Sequence, residues 1–216
     1  MKRTLLIGTA MVVAMGMLFF SVPAGTMAHE KGVVYYSKSA VELQNAMRQL
    51  WEEHIVYTRG FIVSSLAGLE DSGKAAERLL RNQDDIGNAI KPVYGEEAGK
   101  KLSALLRDHI LIAADIVAAA KKGDNEGVAA GQKRWTANAD DITVFLSGAN
   151  PNWPAKDLRN MLYLHLAYTT NEVVSRLKKD WTADIEAYDK GHEHMLMFAD
   201  MLTDGIVKQF PEKFKK

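Results

Sequence analysis

The sequence predicts an all-α protein, an up-and-down antiparallel bundle of about six helices with an internally duplicated helical hairpin. Three observations carry this. Apolar residues recur at helical spacing almost throughout. Turn-forming residues cut that pattern into six lengths. Part of the pattern also repeats at a fixed interval. Short connections between long helices make chain neighbours antiparallel. Apart from residues 33–36, no stretch alternates like a strand.

Helix 1 is expected from Ser39 to about Leu69, ending at Asp71-Ser72-Gly73. Helix 2 follows from about Lys74 to Lys91 and stops before Pro92-Val93-Tyr94-Gly95, because proline removes a backbone donor and crowds the preceding turn. Helix 3 runs from about Glu96 to Lys122, and Gly123-Asp124 separates it from helix 4, about Asn125 to Ser147. The run Asn150-Pro151-Asn152-Trp153-Pro154 turns the chain into helix 5, about Pro154 to Lys179. Helix 6 spans about Trp181 to Phe210.

A single constant shift, without a gap, lays helices 2–3 on helices 4–5. Arg78 then matches Arg134, Asn82 matches Asn138, and Asp84-Asp85-Ile86 matches Asp140-Asp141-Ile142. Leu102, Leu106, His109 and Val117 match Leu158, Leu162, His165 and Val173. A second echo links Asp108-His109-Ile110 in helix 3 with Glu193-His194-Met195 in helix 6. Duplication of a helical hairpin explains the first relation economically.

The N-terminus has the order of a secretory signal: basic Lys2 and Arg3, an apolar run from Leu5 to Phe20, then small residues ending at Ala28. This divides the chain into a signal peptide (1–28), an N-terminal tail (29–38), the bundle (39–210) and a C-terminal tail (211–216). Cleavage after Ala24 and retention of the segment as an anchor are the alternatives. No later segment is long and apolar enough to span a bilayer. The expected location is secreted or cell envelope.

Past Ala28, 25 Lys and Arg face 27 Asp and Glu, so nothing predicts a nucleic-acid or anionic-membrane partner. Cysteine is absent, which excludes disulfides, thiolate metal sites and thiol catalysis. Such a domain is held by packing, or by a bound ligand or metal.

The candidate site is a histidine layer. At 100° per residue, His54 shares a stripe with Met47, Leu50 and Phe61, and His109 with Leu102, Leu105, Ile112 and Ile116. His165 shares one with Leu158, Met161 and Tyr168, and His194 with Ala187, Met197, Met201 and Gly205. His192 falls on the opposite side of helix 6 and is expected to be solvated. In antiparallel neighbours two residues are level when their midpoint falls on the turn. By that test His54, Asp85, His109, Asp141, His165 and His194 lie at one height, one from each helix. Neutral imidazoles with carboxylates suit zinc, iron or copper, and bundle interiors build such sites from facing helices. Asp85 and Asp141 are expected as ligands or as groups that orient the histidines, although Asn82 and Asn138 point further inward. The spacing matches no named metal motif. Glu172 and Arg176 continue the His165 stripe as an expected polar pair, and Trp153 is either an exposed contact or a lid over the bundle end.

The functional expectation is an extracytoplasmic bundle that binds, buffers or senses a transition metal. The alternatives are a metal-free envelope interaction module whose buried polar layer is structural, and a hydrolytic or redox metalloenzyme. The protein partner is open. No phosphate loop or nucleophile elbow supports an enzyme of another kind.

Several runs carry a resemblance: Leu50-Trp51-Glu52-Glu53-His54, residues 79–90, residues 149–154, and Met201-Leu202-Thr203-Asp204-Gly205-Ile206. Together they resemble a family of small exported proteins of Gram-positive, often spore-forming bacteria. Members of that family sometimes bear the names glycosyltransferase or acetylglutamate kinase. This sequence supports neither, having no nucleotide-binding pattern and no βαβ unit. The resemblance implies export and adds no mechanism.

Overall fold

Helical periodicity becomes six helices in the computed structural model, which describes residues 37–215. The signal segment, His29 and the strand-like residues 33–36 lie outside the described residues. The helices are α1 (Lys38–Ala67), α2 (Ser72–Tyr94), α3 (Glu96–Lys122), α4 (Asn125–Ala149), α5 (Ala155–Leu177) and α6 (Trp181–Gln209). Each packs on its chain neighbours, and α6 returns to α1, so the six form a closed ring. None of the described helices is long and apolar enough to cross a membrane.

Two boundaries differ from the expected ones. α2 continues through Pro92, because a proline in the last turn forfeits only one intrahelical bond, and Gly95 N–H still closes on the Lys91 carbonyl at 2.9 Å. The expected C-terminal tail contains a 3-10 turn, Pro211–Phe214. Phe214 packs on the core, and Lys213 Nζ donates to the Pro92 carbonyl at 3.0 Å.

The repeat extends beyond the pair of hairpins visible in the sequence. Along α2, the buried residues Leu79, Asn82, Gln83, Ile86, Gly87 and Ile90 recur in the same order and spacing in α4 as Trp135, Asn138, Ala139, Ile142, Thr143 and Leu146. The same shift applied once more reaches α6, which buries Gly191, His194, Met195, Phe198, Ala199 and Leu202. The odd-numbered helices follow suit: Met47, Trp51, His54 and Ile62 of α1 correspond to Leu102, Leu106, His109 and Val117 of α3. In α5 the same places hold Leu158, Leu162, His165 and Val173. The bundle is therefore three helical hairpins in pseudo-threefold register. Equivalent side chains meet: Ile62, Val117 and Val173 form a cluster of their own. The three chain reversals agree, since Gly68, Gly123 and Lys179 have left-handed φ values of 71°, 72° and 60°. α6 thus takes the register of α2 and α4, and the expected echo between helices 3 and 6 does not follow the packing.

The main core fills the ring on one side of the histidines, around Met47, Ile86, Ile142, Leu158, Phe198 and Ile206. Burying each such side chain contributes about 1.5–3 kcal/mol. Trp153 closes that end, 2% exposed, with Tyr94 at 5.7 Å between ring centres. Of the two readings of Trp153, the lid is the one observed.

Candidate functional site

His54, His109, His165 and His194 are all buried, at 2–3% exposure. Their heights are similar because nearly equal lengths of helix separate them from one pole of the bundle. At that pole lie Ala67, Lys122, Leu177 and Trp181, the respective ends of α1, α3, α5 and α6. The pseudo-threefold register makes three of the histidines equivalent, one per hairpin. His165 stands between the other two, with ring centres 5.6 Å from His54 and 5.8 Å from His109.

His194 is the fourth, and it plays a different part. It occupies in the third hairpin the place held by Asn82 and Asn138 in the first two. Each of these three residues bonds a carbonyl on the preceding helix: Asn82 Nδ2 donates to Leu50 O and Asn138 Nδ2 to Leu105 O, both at 3.0 Å. His194 Nε2–H donates to Met161 O at 2.8 Å. In every hairpin the accepting carbonyl lies one helical turn before the equivalent histidine. The buried face of α6 is consequently Gly191, His194, Met195, Phe198 and Leu202, and Met197, expected beside His194, is 56% exposed.

The two carboxylates expected in the layer are not in it. Asp141 is exposed, on the outer side of α4. Asp85 sits at the edge of α2, its side chain 40% exposed and 3.8 Å from Arg78. Charged oxygens stay in water unless paired, and these positions face outward. Amides take their place: Asn138 Oδ1 lies 2.8 Å from His109 Nδ1, and Gln83 Nε2 lies 3.2 Å from His54 Nδ1. Gln83 is the site residue that the sequence pattern alone did not single out. It sits on the same buried stripe as Ile86 and Ile90, and its amide on that apolar stripe was the available signal.

One of these contacts fixes a tautomer. Asn138 turns its nitrogen to the Leu105 carbonyl, so its oxygen accepts from His109 Nδ1–H. His109 Nε2 then bears a lone pair, and it is buried without a hydrogen-bond partner. Gln83 Nε2 lies 2.8 Å from Leu79 O and 3.1 Å from Asn82 Oδ1, two acceptors that take its two hydrogens, and 3.2 Å from His54 Nδ1. His165 Nδ1 and Gln83 Oε1 are likewise buried without partners.

Aromatic rings wall the site. Trp135 lies 5.0 Å from His109, and Trp51 meets His54 edge-on at 5.6 Å. Burial pushes the His54 imidazole down to about 3, with His109 adding repulsion, and pushes His109 to about 4. His165 is lowered well below the ordinary range, by burial first and then by His54, His109 and His194. All are neutral at pH 7, the form that ligates metals. Among the described residues, no three His, Asp or Glu side chains already stand in a metal-holding arrangement. Two imidazoles on one tetrahedral ion, with metal–nitrogen bonds of about 2.0–2.1 Å, have ring centres roughly 5 Å apart. The observed spacings of 5.6 and 5.8 Å would have to shorten slightly on binding.

A second polar group lies two turns further along α5. Arg59 of α1 bonds Glu172 of α5 at 2.8 Å and Asp184 of α6 in a fork, and Arg176 reaches Asp184 at 2.9 Å. The expected Glu172–Arg176 pair is thus a four-membered cluster linked through Arg59 and Asp184. Burial raises the Glu172 carboxyl, partly offset by Arg59. Burial also acts on Asp184, but its bonds to Arg59 and Arg176 prevail and hold it below the usual range. His192, away from the layer, is half-buried beside Glu52.

Fold and site together define a closed six-helix bundle of three hairpins around a buried histidine layer. No protein-family model, curated protein or solved structure matches the chain.

Proposed function

We propose that the histidine layer is a transition-metal site, formed by His54, His109 and His165 with His194 beside them, in a protein that acts outside the cytoplasm. One observation carries this reading: His109 Nε2 and His165 Nδ1 are buried, neutral and unpartnered in the same layer. Buried nitrogens are rarely left so, because each unmade bond costs about 1–3 kcal/mol. A metal ion coordinated there would use both lone pairs. The second-sphere arrangement at His109, with Nδ1–H held by an amide oxygen, is the one that presents Nε2 to a metal. His54, with its ring centre 5.6 Å from that of His165, would join them as the third ligand. Zinc, iron and copper all accept imidazole. The signal-like residues 1–28 support export.

Metal analysis of protein purified without a histidine tag tests the reading, with His109→Ala/His165→Ala as the control. One bound equivalent in the wild type and none in the control is expected. Absence of stoichiometric metal after reconstitution with zinc, iron and copper overturns it.

A second reading has its own support. The three carbonyl bonds made by Asn82, Asn138 and His194 lock each hairpin in register without any metal. A metal-free envelope interaction module would keep the layer for that purpose, and its melting temperature would ignore chelators.

A further inference from the structure

Pseudo-threefold register allows each side chain to be compared with its two counterparts, and one third of the bundle departs from the rule. In the second hairpin Ile116, Val128 and Trp135 form an apolar cluster that covers His109. At the equivalent places one repeat further along the chain stand Glu172, Asp184 and Gly191. Apolar wall has become charged cluster, and Trp135, which stands 5.0 Å from His109 and 6.5 Å from His165, has Gly191 as its counterpart on α6. Gly191 is itself buried, and a Cβ there would make one ordinary contact, with Tyr168 Cβ at 3.6 Å. His165 also lacks the amide that fixes His109, because its counterpart of Asn138 is His194, which is engaged with Met161 O.

We propose that this α5–α6 third of the bundle, with α1, is the port through which the histidine layer exchanges ligands with solvent, and that His165 is the residue an incoming cation meets first. The charged cluster reaches water through Arg59 and Arg176, whose side chains are 17% and 19% exposed, while Glu172 and Asp184 are buried behind them. Arg59 also lies 5.4 Å over the Tyr188 ring and Arg176 lies 5.5 Å over Trp181, so both guanidinium groups stand at the solvent edge of the cluster. Inside, Thr169 separates Glu172 from His165 by one turn on each side, and its hydroxyl is tied to the His165 carbonyl at 3.0 Å. A charged interior is expensive where packed hydrocarbon would serve, as the second hairpin demonstrates. Carboxylates held by arginines can release a partner and take a cation in transit, which isoleucine and valine cannot.

The port rests on the histidine layer as destination but is tested without metal, so a failure to bind metal leaves it standing. Diethyl pyrocarbonate acylates unprotonated imidazole nitrogen, and mass spectrometry of the full chain reads each histidine separately. In the metal-free protein His192 should label first, His165 next, and His54 and His109 last. Gly191→Leu should slow His165 about tenfold by adding bulk between α5 and α6, with His192 unchanged as internal reference. Global unfolding of that variant would show as rapid labelling of all histidines, and the wild-type order then decides. The proposal is overturned if His165 labels no faster than His109 in the wild type, or if folded Gly191→Leu labels His165 at the wild-type rate.

Discussion

His109 Nδ1 lies 2.8 Å from Asn138 Oδ1, and this contact sets which nitrogen of the ring carries the proton. The same amide holds the Leu105 carbonyl, so one buried side chain both locks α4 to α3 and aims His109 Nε2 into the layer.

Asn138→Ala removes both bonds and strands a buried N–H and a carbonyl. At about 1–3 kcal/mol for each unpaired group, the variant should lose roughly 2–6 kcal/mol in urea unfolding. If the metal reading holds, affinity should also drop about 10–100-fold, the usual cost of losing a group that orients a ligand. A change under about 0.5 kcal/mol would mean that water replaces the amide freely and that the contact orients nothing.

Acid sensitivity follows from the lowered imidazoles. His54 and His109 titrate at about 3 and 4 in the folded chain, and His165 also lies well below its ordinary range. Unfolded histidine has a pKa of about 6.5. Between those limits the unfolded chain binds protons that the folded one refuses, so stability falls as pH falls. Above about pH 6.5 the penalty vanishes. Each group contributes up to about 1.4 kcal/mol per pH unit, so three contribute up to roughly 4. A domain with about 5–15 kcal/mol of stability should then unfold near about pH 4–5. Circular dichroism melts of metal-free protein from pH 7 to 4 measure this, and a flat melting temperature down to pH 5 would contradict it.

Much of this was legible in the residues, and what was not has physical reasons. The six helices and the four inward histidines follow from periodicity, since an apolar repeat of helical period broken by glycine and proline leaves little choice. The repeat was visible between helices 2–3 and 4–5 because Asn82 and Asn138 are identical. Its third copy was hidden, because the equivalent of Asn138 is His194. α1 was hidden too, because it stands one position out of step: Met47 is nearer to Leu102 in the chain than Leu102 is to Leu158. A histidine and an asparagine can donate to the same carbonyl, so the geometry persisted while the identity did not. Asp85 and Asp141 drew attention as metal-type residues at the right height. Height is only half of position, and the helical turn carries them to the rim, with Gln83 and Asn138 inward. Which nitrogen His109 leaves bare depends on a contact between different helices, beyond any local pattern.

Lys179 is the one non-glycine among the described residues at positive φ, in the place that Gly68 and Gly123 hold in the other hairpins. A left-handed backbone costs an ordinary L-residue about 1–2 kcal/mol. Lys179→Gly should therefore raise stability by up to about 1 kcal/mol, since the glycine's extra unfolded-state entropy offsets part of the relief. Gly123→Ala should lower it by about 1 kcal/mol. Opposite signs in the same denaturation assay are the expected result, and equal signs would refute the shared cap geometry.

The charged cluster makes a prediction in two parts, because a buried ion group is harder to break than to replace. Arg59→Met leaves Glu172 and Asp184 buried with only Arg176 near them, and it should cost about 3–5 kcal/mol. Glu172 would then protonate in place of its lost partner, which softens the loss toward acid pH. Replacing three of the four members by apolar residues, Arg59→Met with Glu172→Ile and Asp184→Val, leaves only the part-exposed Arg176 charged and should restore most of that loss or exceed the wild type by about 1–4 kcal/mol. Ile116 and Val128 already show that this position in the bundle packs well without charge. Urea titration of the single and triple variants reads both numbers. If the triple variant proves less stable than Arg59→Met alone, the four charges hold α1, α5 and α6 together more tightly than packed hydrocarbon would. The cost that motivates a port would then not exist. A triple variant that is stable yet labels slowly at His165 would instead join the two results, with stability given up in the wild type for access to the layer.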